Sequence, residues 1–280
     1  HILSSENLDK IPKTTWKVPE HDARIYGSKI LRDFVGETKF TYPKSPYAVM
    51  DTLRTVTGEN KDAIVVDFFA GSGTTIHSLA LLNKMDNGRR KAILVTNNEV
   101  DDENEKRLKM EGHLPNSQEF ESMGIFSSVT MPRLKAAISG QRNSKDLHGT
   151  YIDGSNYSDG FEENIKFLTL DYLDNDNVIR NKSFKSISTI LWMISGSVGS
   201  VIEEVSETFE LQPEGRYGIL FDITHWQEFV DAVKEVPTMT HVFIITDSKV
   251  QYQQIVNHLP TNIHATMLYE DYLRNFQIGV

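Results

Sequence analysis

The chain has 280 residues, no cysteine, 39% hydrophobic and 24% charged residues, and a formal net charge of −10. This composition is typical of a folded protein of one or two domains, and it excludes disulfide bonds and thiolate metal sites. The sequence has no apolar run of membrane-spanning length and no signal-like start, which favours a cytoplasmic protein without a membrane partner. The acidic net charge argues against a molecule whose whole surface coats nucleic acid.

Residues 1–40 are predicted to be irregular or to form the edge of a sheet, because two prolines interrupt regular structure there. Basic residues outnumber acidic residues by eight to four between Lys10 and Lys44. Arg24, Lys29 and Arg32 could therefore contact a DNA backbone. The alternative is a solvated surface loop.

A helix is predicted directly after this region. Ser45 can cap the helix, and Pro46 then occupies its first position. Val49, Leu53 and Val56 recur at helical spacing, so one face of the helix should be apolar.

The stretch from Ala63 to Leu82 predicts a strand, a glycine turn and a helix. A short β-branched run, typical of a buried parallel strand, ends at Asp67, and the chain turns at 71–73 into an amphipathic segment. This layout directs the positive end of a helix at a negatively charged ligand. The turn is neither a P-loop nor a dinucleotide fingerprint, because Thr74 stands where the first has lysine and Ile76 where the second has glycine.

A second buried strand is predicted at Ala92–Thr96, and it is followed by Asn97, Asn98 and Glu99. In nucleoside-binding α/β folds, an acidic residue after the second strand often binds the ribose hydroxyls. Glu99 is therefore the ribose candidate, with the two asparagines beside it. The alternative is that Glu99 begins the acidic helix predicted at 100–110 as a first-turn carboxylate.

The C-terminal half starts with the polar segment Gln141–Gly160, which is predicted to be a linker or mobile loop, and the domain boundary is placed after residue 150. A strand at Ile165–Leu170 and a core-facing helix at Phe184–Ile194 are predicted to follow. The last part is predicted to be a parallel βαβαβ unit. Its strands are Tyr217–Phe221, His241–Ile245 and Ile263–Leu268, and its helices, opened by capping boxes, are Thr224–Val236 and Ser248–Leu259.

The nine residues DFFAGSGTT at 67–75 resemble motif I of the amino-group DNA methyltransferases, and residues 40–56 resemble their motif X. Nearly the whole chain resembles the C-terminal portion of type III, Mod-like adenine-specific DNA methyltransferases. The resemblance is strong at residues 40–140 and loose elsewhere. The resemblance implies an α/β protein: the cofactor-binding part of a Rossmann-like S-adenosylmethionine-dependent methyltransferase fold, with a smaller C-terminal α/β domain. Residues 1–150 would hold the end of the recognition region and the cofactor-binding subdomain, and residues 151–280 the C-terminal domain.

The resemblance also implies which residues would bind S-adenosylmethionine. In that family the two glycines of motif I let the backbone approach the methionine part of the cofactor, and motif X closes over the same end. Lys44 would face the carboxylate, and Phe68 would flank the adenosine. No metal is implied. The cofactor residues so implied, together with the ribose candidates, are Lys44, Ser45, Asp67, Phe68, Gly71, Gly73, Thr74, Asn97 and Glu99.

The family also has an Asp-Pro-Pro-Tyr or Asn-Pro-Pro-Phe motif that holds a flipped-out base, and the sequence contains neither. Motif X precedes motif I here, as in the branch of the family that has its catalytic motif first. This order implies a catalytic half upstream, so no catalytic residue is assigned and the chain alone is expected to be inactive. The implied function is methyl transfer to adenine N6 of DNA in a restriction-modification system.

The implied partners are double-stranded DNA, a restriction (endonuclease) subunit, and a second copy of the full-length enzyme in a homodimer. The alternative function is a non-catalytic, methyltransferase-like module that binds DNA or regulates another protein. A third option is a nucleotide-dependent oxidoreductase that uses the same strand, turn and helix.

Overall fold

The computed structural model describes residues 15–37, 40–170 and 184–268. These residues form a mixed α/β protein with two compact units, His1–Leu168 and Thr169–Val280. The domain boundary after residue 150 stays a prediction. Each unit has its own hydrophobic core.

Residues 19–35 are mainly helical, so the prediction of irregular or β-edge structure is wrong for them. A 3-10 turn at Pro19–His21 and a π-helix at Ala23–Ser28 lead into helix α1, Lys29–Val35. Asp22 caps the π-helix by accepting hydrogen bonds from two backbone N–H groups. Helix α1 forms because one of its faces is apolar and lies in the core.

The next elements alternate between helix and strand. Helix α2, Pro46–Thr57, begins as predicted, with the Ser45 hydroxyl accepting from the Tyr47 N–H at 3.2 Å. It packs against the next helix along the chain, α3, Thr74–Asp86. The bounds are β1 Ile64–Asp67, α3 Thr74–Asp86 and β2 Lys91–Leu94, with β1 and β2 parallel.

The two strands are half exposed, so the prediction that they are buried is wrong. Ile64, Val66, Ile93 and Val95 expose their apolar side chains. The reason is that, among the described residues, the β1–β2 sheet has no third strand. Parallel strands are normally covered on both faces, and this pair is not.

The segment predicted to be a linker packs onto the N-terminal core instead. Leu147, Tyr151, Tyr157 and Phe161 are all buried, and Tyr157 lies 4.9 Å from Phe34, ring centroid to centroid. These large side chains anchor an otherwise polar loop, which explains why its composition was misleading. The elements before this segment are α4 Asp102–Met110, α5 Gln118–Ser122, a π-helix at Phe126–Thr130 and α6 Met131–Ser139. The segment itself contains β3 Gln141–Arg142, β4 Lys145–Asp146 and a 3-10 turn at Tyr157–Asp159.

The C-terminal unit contains the predicted βαβαβ arrangement. The elements are α7 Phe184–Ile194, β5 Phe209–Gln212, β6 Tyr217–Leu220, α8 Trp226–Lys234, β7 His241–Ile245, α9 Lys249–Val256 and β8 His264–Leu268. The sheet has the order β5-β6-β7-β8, in which the last three strands are parallel and β5, which the sequence did not predict, is antiparallel to β6.

Two local predictions for this half are wrong. Residues 165–170 belong to no helix or strand, because alternation of side chains does not make a sheet without a partner to pair with. Thr224 does not cap helix α8, since the Asp222 carboxylate accepts from the Thr224 N–H at 2.9 Å and begins a 3-10 turn there. Ser248 caps helix α9 as predicted.

No helix within the described ranges is long and apolar enough to cross a lipid bilayer.

A partly buried ion pair closes the C-terminal end of helix α3. The Arg90 guanidinium donates to both carboxylate oxygens of Asp86 at 2.9 Å, and the Arg90 side chain is fully buried. Partial burial acts to raise the pKa of Asp86, but the hydrogen bonds and charge of Arg90 outweigh it and lower that pKa below its ordinary value. Asp86 therefore stabilises the fold while it is ionised.

We expect Arg90→Gln to lower the free energy of unfolding of the N-terminal unit by about 1 to 3 kcal/mol at neutral pH. Since the pKa of Asp86 is depressed, its contribution is present above pH about 4 and is lost as the pH falls further. The free energies of unfolding of wild type and variant, measured by urea denaturation, should therefore differ less below that pH. Arg89→Gln is the control, because the Arg89 side chain is 83% exposed, and an equal loss in both variants would contradict the prediction.

Candidate functional site

The carboxyl ends of β1 and β2 bring two loops together. Asp67 and Leu94 are register partners in the parallel pair. The Val95 N–H donates to the Asp67 carbonyl at 2.8 Å, and the Ala70 N–H donates to the Val95 carbonyl at 3.4 Å. The glycine turn after β1 and the polar residues after β2 therefore lie at the same edge of the sheet.

The glycine turn leads directly into helix α3. Gly71 and Gly73 have φ values of +50° and +75°, which favour glycine. Gly73 is the N-cap of α3 and provides no side chain to bond the first-turn N–H groups. These N–H groups and the helix dipole make the turn electropositive.

Asp67 fixes the geometry of the turn. One oxygen of its carboxylate accepts from the Phe69 N–H at 3.0 Å, and the other accepts from the Thr75 hydroxyl at 2.6 Å. The same side chain thus bonds the start of the turn and the first turn of α3. It orients the loop as well as adding a negative charge beside it.

Gly73 is required by the packing of the protein itself. A Cβ at this position would lie 3.1 Å from Leu134 Cγ and 3.2 Å from Thr130 Cγ2, both on the segment that leads into and forms α6. The side of Gly73 where a side chain would stand is therefore filled by protein. The approach of the Gly73 backbone to a cofactor stays a prediction. A Cβ on Gly71 would meet only the Phe40 ring at 3.5 Å and the Phe69 carbonyl oxygen at 3.8 Å.

Two side chains outside the predicted set hold the turn from below. The Thr130 hydroxyl donates to the Gly71 carbonyl at 2.6 Å. The Arg133 guanidinium donates through Nη1 to the Ser72 hydroxyl at 2.9 Å, the Ser72 carbonyl at 3.3 Å and the Thr74 hydroxyl at 2.8 Å. The Thr74 side chain is thus buried and directed into the protein.

Sequence reasoning missed Arg133, although the sequence holds one signal. Leu134, Ala136 and Ala137 form the buried face of α6, and Arg133 lies on the same face. A charged residue at a core-facing position of a periodic helix points to a buried polar contact. The sequence cannot show that the partner of Arg133 is Ser72 in the glycine turn, 61 positions earlier.

The two residues predicted before helix α2 differ in their surroundings. Lys44 is exposed. Ser45 is buried, and its hydroxyl donates to the Glu20 carbonyl at 2.6 Å while it accepts from the Tyr47 N–H. Ser45 therefore positions this loop, and Phe40 at the start of the loop contacts the glycine turn. Contact of Lys44 and Ser45 with a cofactor stays a prediction.

After β2, Asn97 and Glu99 are exposed. Asn98 is structural, because its amide donates to the Glu121 carbonyl at 2.7 Å and its oxygen accepts from the Ser127 N–H at 3.0 Å. Helix α4 begins only at Asp102, so the alternative that Glu99 is a first-turn carboxylate is wrong. The side chains of Asn97 and Glu99 remain at the sheet edge that the glycine turn shares.

Aromatic side chains complete this edge. Phe68 is 66% exposed and Phe69 is 91% exposed. Exposed aromatic rings of this kind can stack on the flat face of a base. Within the described ranges, no group of three or more histidine, cysteine, aspartate or glutamate side chains could hold a metal ion.

Part of the chain is similar to known methyltransferases and Mod subunits. It is 37% identical over 91 residues (32% of this chain and 14% of the relative) to the type III restriction-modification enzyme EcoPI Mod subunit of Escherichia phage P1. It is 40% identical over 75 residues (27% and 15%) to the type II methyltransferase M.KpnI of Klebsiella pneumoniae. It is 43% identical over 70 residues (25% and 10%) to the type III restriction-modification enzyme StyLTI Mod subunit of Salmonella typhimurium.

No family model matches the chain. The matched stretches span at most 32% of this chain and at most 15% of each relative. Within that extent, the resemblance to Mod-like methyltransferases that the motifs indicate is confirmed.

A positive φ costs a residue other than glycine about 1 to 2 kcal/mol. Gly73→Ala should lower the free energy of unfolding by more than this, because the new methyl group also meets Thr130 and Leu134. Thr130→Ser in the same protein should recover part of the loss, since it removes Cγ2 but keeps the hydroxyl that bonds Gly71. Both are read from urea denaturation.

Gly112→Ala provides the matched control for this experiment. Gly112 has a φ of +85°, and a Cβ there would meet nothing within 4 Å, so that variant loses only the conformational term. Equal losses for Gly73→Ala and Gly112→Ala would show that packing at the turn does not matter.

Proposed function

We propose that this chain binds S-adenosylmethionine as part of a DNA methyltransferase of a restriction-modification system that transfers the methyl group to adenine N6. The observation that carries the proposal is the uncapped N-terminus of α3, which a glycine turn holds at the edge where β1 and β2 end. The relatives support it, because they are named as a methyltransferase and as Mod subunits of restriction-modification enzymes.

The predicted cofactor residues fit S-adenosylmethionine chemically. The first-turn N–H groups of α3 and the exposed charge of Lys44 suit the carboxylate of the methionine part. Glu99 and Asn97 offer acceptors and donors for the ribose hydroxyls, and Phe68 offers a ring for the adenine. Asp67 holds the turn that leads into α3. S-adenosylmethionine, when bound, would supply an activated methyl group on its sulfonium.

Four of the predicted residues would contribute without a direct side-chain contact. Gly71 leaves the turn open to the ligand, whereas Gly73 lets α6 pack beneath it. Thr74 would offer its backbone N–H, because its hydroxyl is bonded to Arg133. Ser45 would hold the loop that carries Lys44.

The finer statements about the whole enzyme are part of the same proposal. Residues 1–150 would include the cofactor-binding part of a Rossmann-like methyltransferase fold, and residues 151–280 a separate α/β domain. The catalytic Asp-Pro-Pro-Tyr or Asn-Pro-Pro-Phe motif is absent from the 280 residues, so another stretch of polypeptide would bind the flipped adenine. Double-stranded DNA, an endonuclease subunit and a second copy of the enzyme would be the partners, in the cytoplasm.

A second candidate is a non-catalytic, methyltransferase-like module that binds DNA or regulates another protein. The missing catalytic motif favours it. The two candidates differ in the cofactor, because such a module has no need to bind S-adenosylmethionine.

Isothermal titration calorimetry of the full chain should show one site for S-adenosylmethionine and none for NAD or ATP. Gly71→Ala should weaken this binding about tenfold, because a methyl group stands where the open turn meets the ligand. Gly112→Ala, which also places a Cβ at a positive φ but lies outside the turn, should bind as the wild type does. Binding of NAD or ATP instead, or no binding at all, would contradict the proposal.

A further inference from the structure

The turn at the start of α3 rests on a buried arginine, Arg133, that has no acidic partner among the described residues. Arg133 is 0% exposed, and among the described residues its Nε and Nη2 atoms have no hydrogen-bond partner. A buried cation without a carboxylate is costly, and interiors rarely contain one. Its presence needs a reason other than the stability of the fold.

The surroundings of Arg133 do not neutralise it. Burial lowers the pKa of Arg133, but only to about 10, so the guanidinium is charged at neutral pH. Burial, and after it the charge of Arg133, lowers the pKa of the neighbouring His77 well below its ordinary value, so His77 is neutral. The phenol of Tyr151, which bonds His77 at 2.9 Å, is also neutral, because burial raises its pKa.

The other buried arginine of this unit shows the contrast. Arg90 is paired with Asp86 through two hydrogen bonds of 2.9 Å. Arg133 instead directs Nη1 at the Ser72 hydroxyl and carbonyl and at the Thr74 hydroxyl, which belong to the turn and the first residue of α3. Its positive charge therefore adds to the positive end of the helix dipole at the same place.

We propose that Arg133 is a positioning and specificity-determining residue, which shapes the glycine turn and supplies the positive potential that selects a carboxylate-bearing ligand at the N-terminus of α3. This inference rests on the proposed function, and it adds a residue that the motifs do not include. The anion would bind the N–H groups of α3, and Arg133 would act on it through Ser72 and Thr74 rather than by contact. The cost of burying an unpaired cation is then offset when the anion binds.

The test compares S-adenosylmethionine with decarboxylated S-adenosylmethionine, which differs only in the carboxylate. Calorimetry of the wild-type chain should give tighter binding of S-adenosylmethionine. Arg133→Gln, which removes the charge but keeps amide donors for the turn, should reduce the ratio of the two affinities about tenfold. Arg133→Lys, which keeps the charge, should retain most of the ratio, and Arg90→Gln should leave it unchanged.

Each result decides between the roles. If Arg133→Gln leaves the ratio of the two affinities unchanged, the inference is overturned. Equal weakening of both ligands would then mean that the role of Arg133 is purely structural. If Arg133→Gln does not fold by circular dichroism, Arg133→Lys decides, because loss of the ratio in that charged variant contradicts the inference and its retention supports it. If the wild type binds neither ligand, the proposed function fails and the role of Arg133 fails with it.

Discussion

The hydrogen bond from the Thr75 hydroxyl to the Asp67 carboxylate is the contact on which the candidate site depends. It joins the last residue of β1 to the first turn of α3, so the glycine turn between them has little freedom. Thr130 and Arg133 then hold the carbonyl groups of the turn from the side of α6. With its hydrogen-bonding groups fixed in this way, the turn leaves the uncapped start of α3 at the sheet edge, and preorganised donors bind an anion without an ordering cost.

The interior next to this turn contains buried polar side chains. His77 and Ser78 of α3 and Arg133 of α6 are fully buried, and the Ser78 hydroxyl donates to the Thr74 carbonyl. Arg90 shows that the unit can neutralise a buried guanidinium where stability is the only requirement. Arg133, which has no carboxylate partner in the described part of the chain, lies instead beneath the turn, which is the pattern expected where a structure gives up stability for a ligand.

The sequence predicts the glycine turn well because its signal is local: a β-branched run, two glycines and an amphipathic helix in succession. The parallel unit at the C-terminus is predictable for the same reason. Helix α1 was missed because its apolar face is short and lies among charged residues and near prolines. The loop around Tyr151 and Tyr157 was missed because polar composition dominates it, whereas packing against Phe34 decides its structure. The contacts of Arg133 and Thr130 with the turn are tertiary, and no local pattern contains them.

Hydrogen exchange of the backbone amides tests the central claim most directly, since it locates a ligand without any substitution. Addition of S-adenosylmethionine should slow exchange at residues 68–76, where the turn enters α3, and at residues 95–99 after β2. Amides of α9 in the C-terminal unit should exchange at an unchanged rate. Protection confined to other residues, or none at saturating S-adenosylmethionine, would contradict the assignment of the cofactor site to this edge of the sheet.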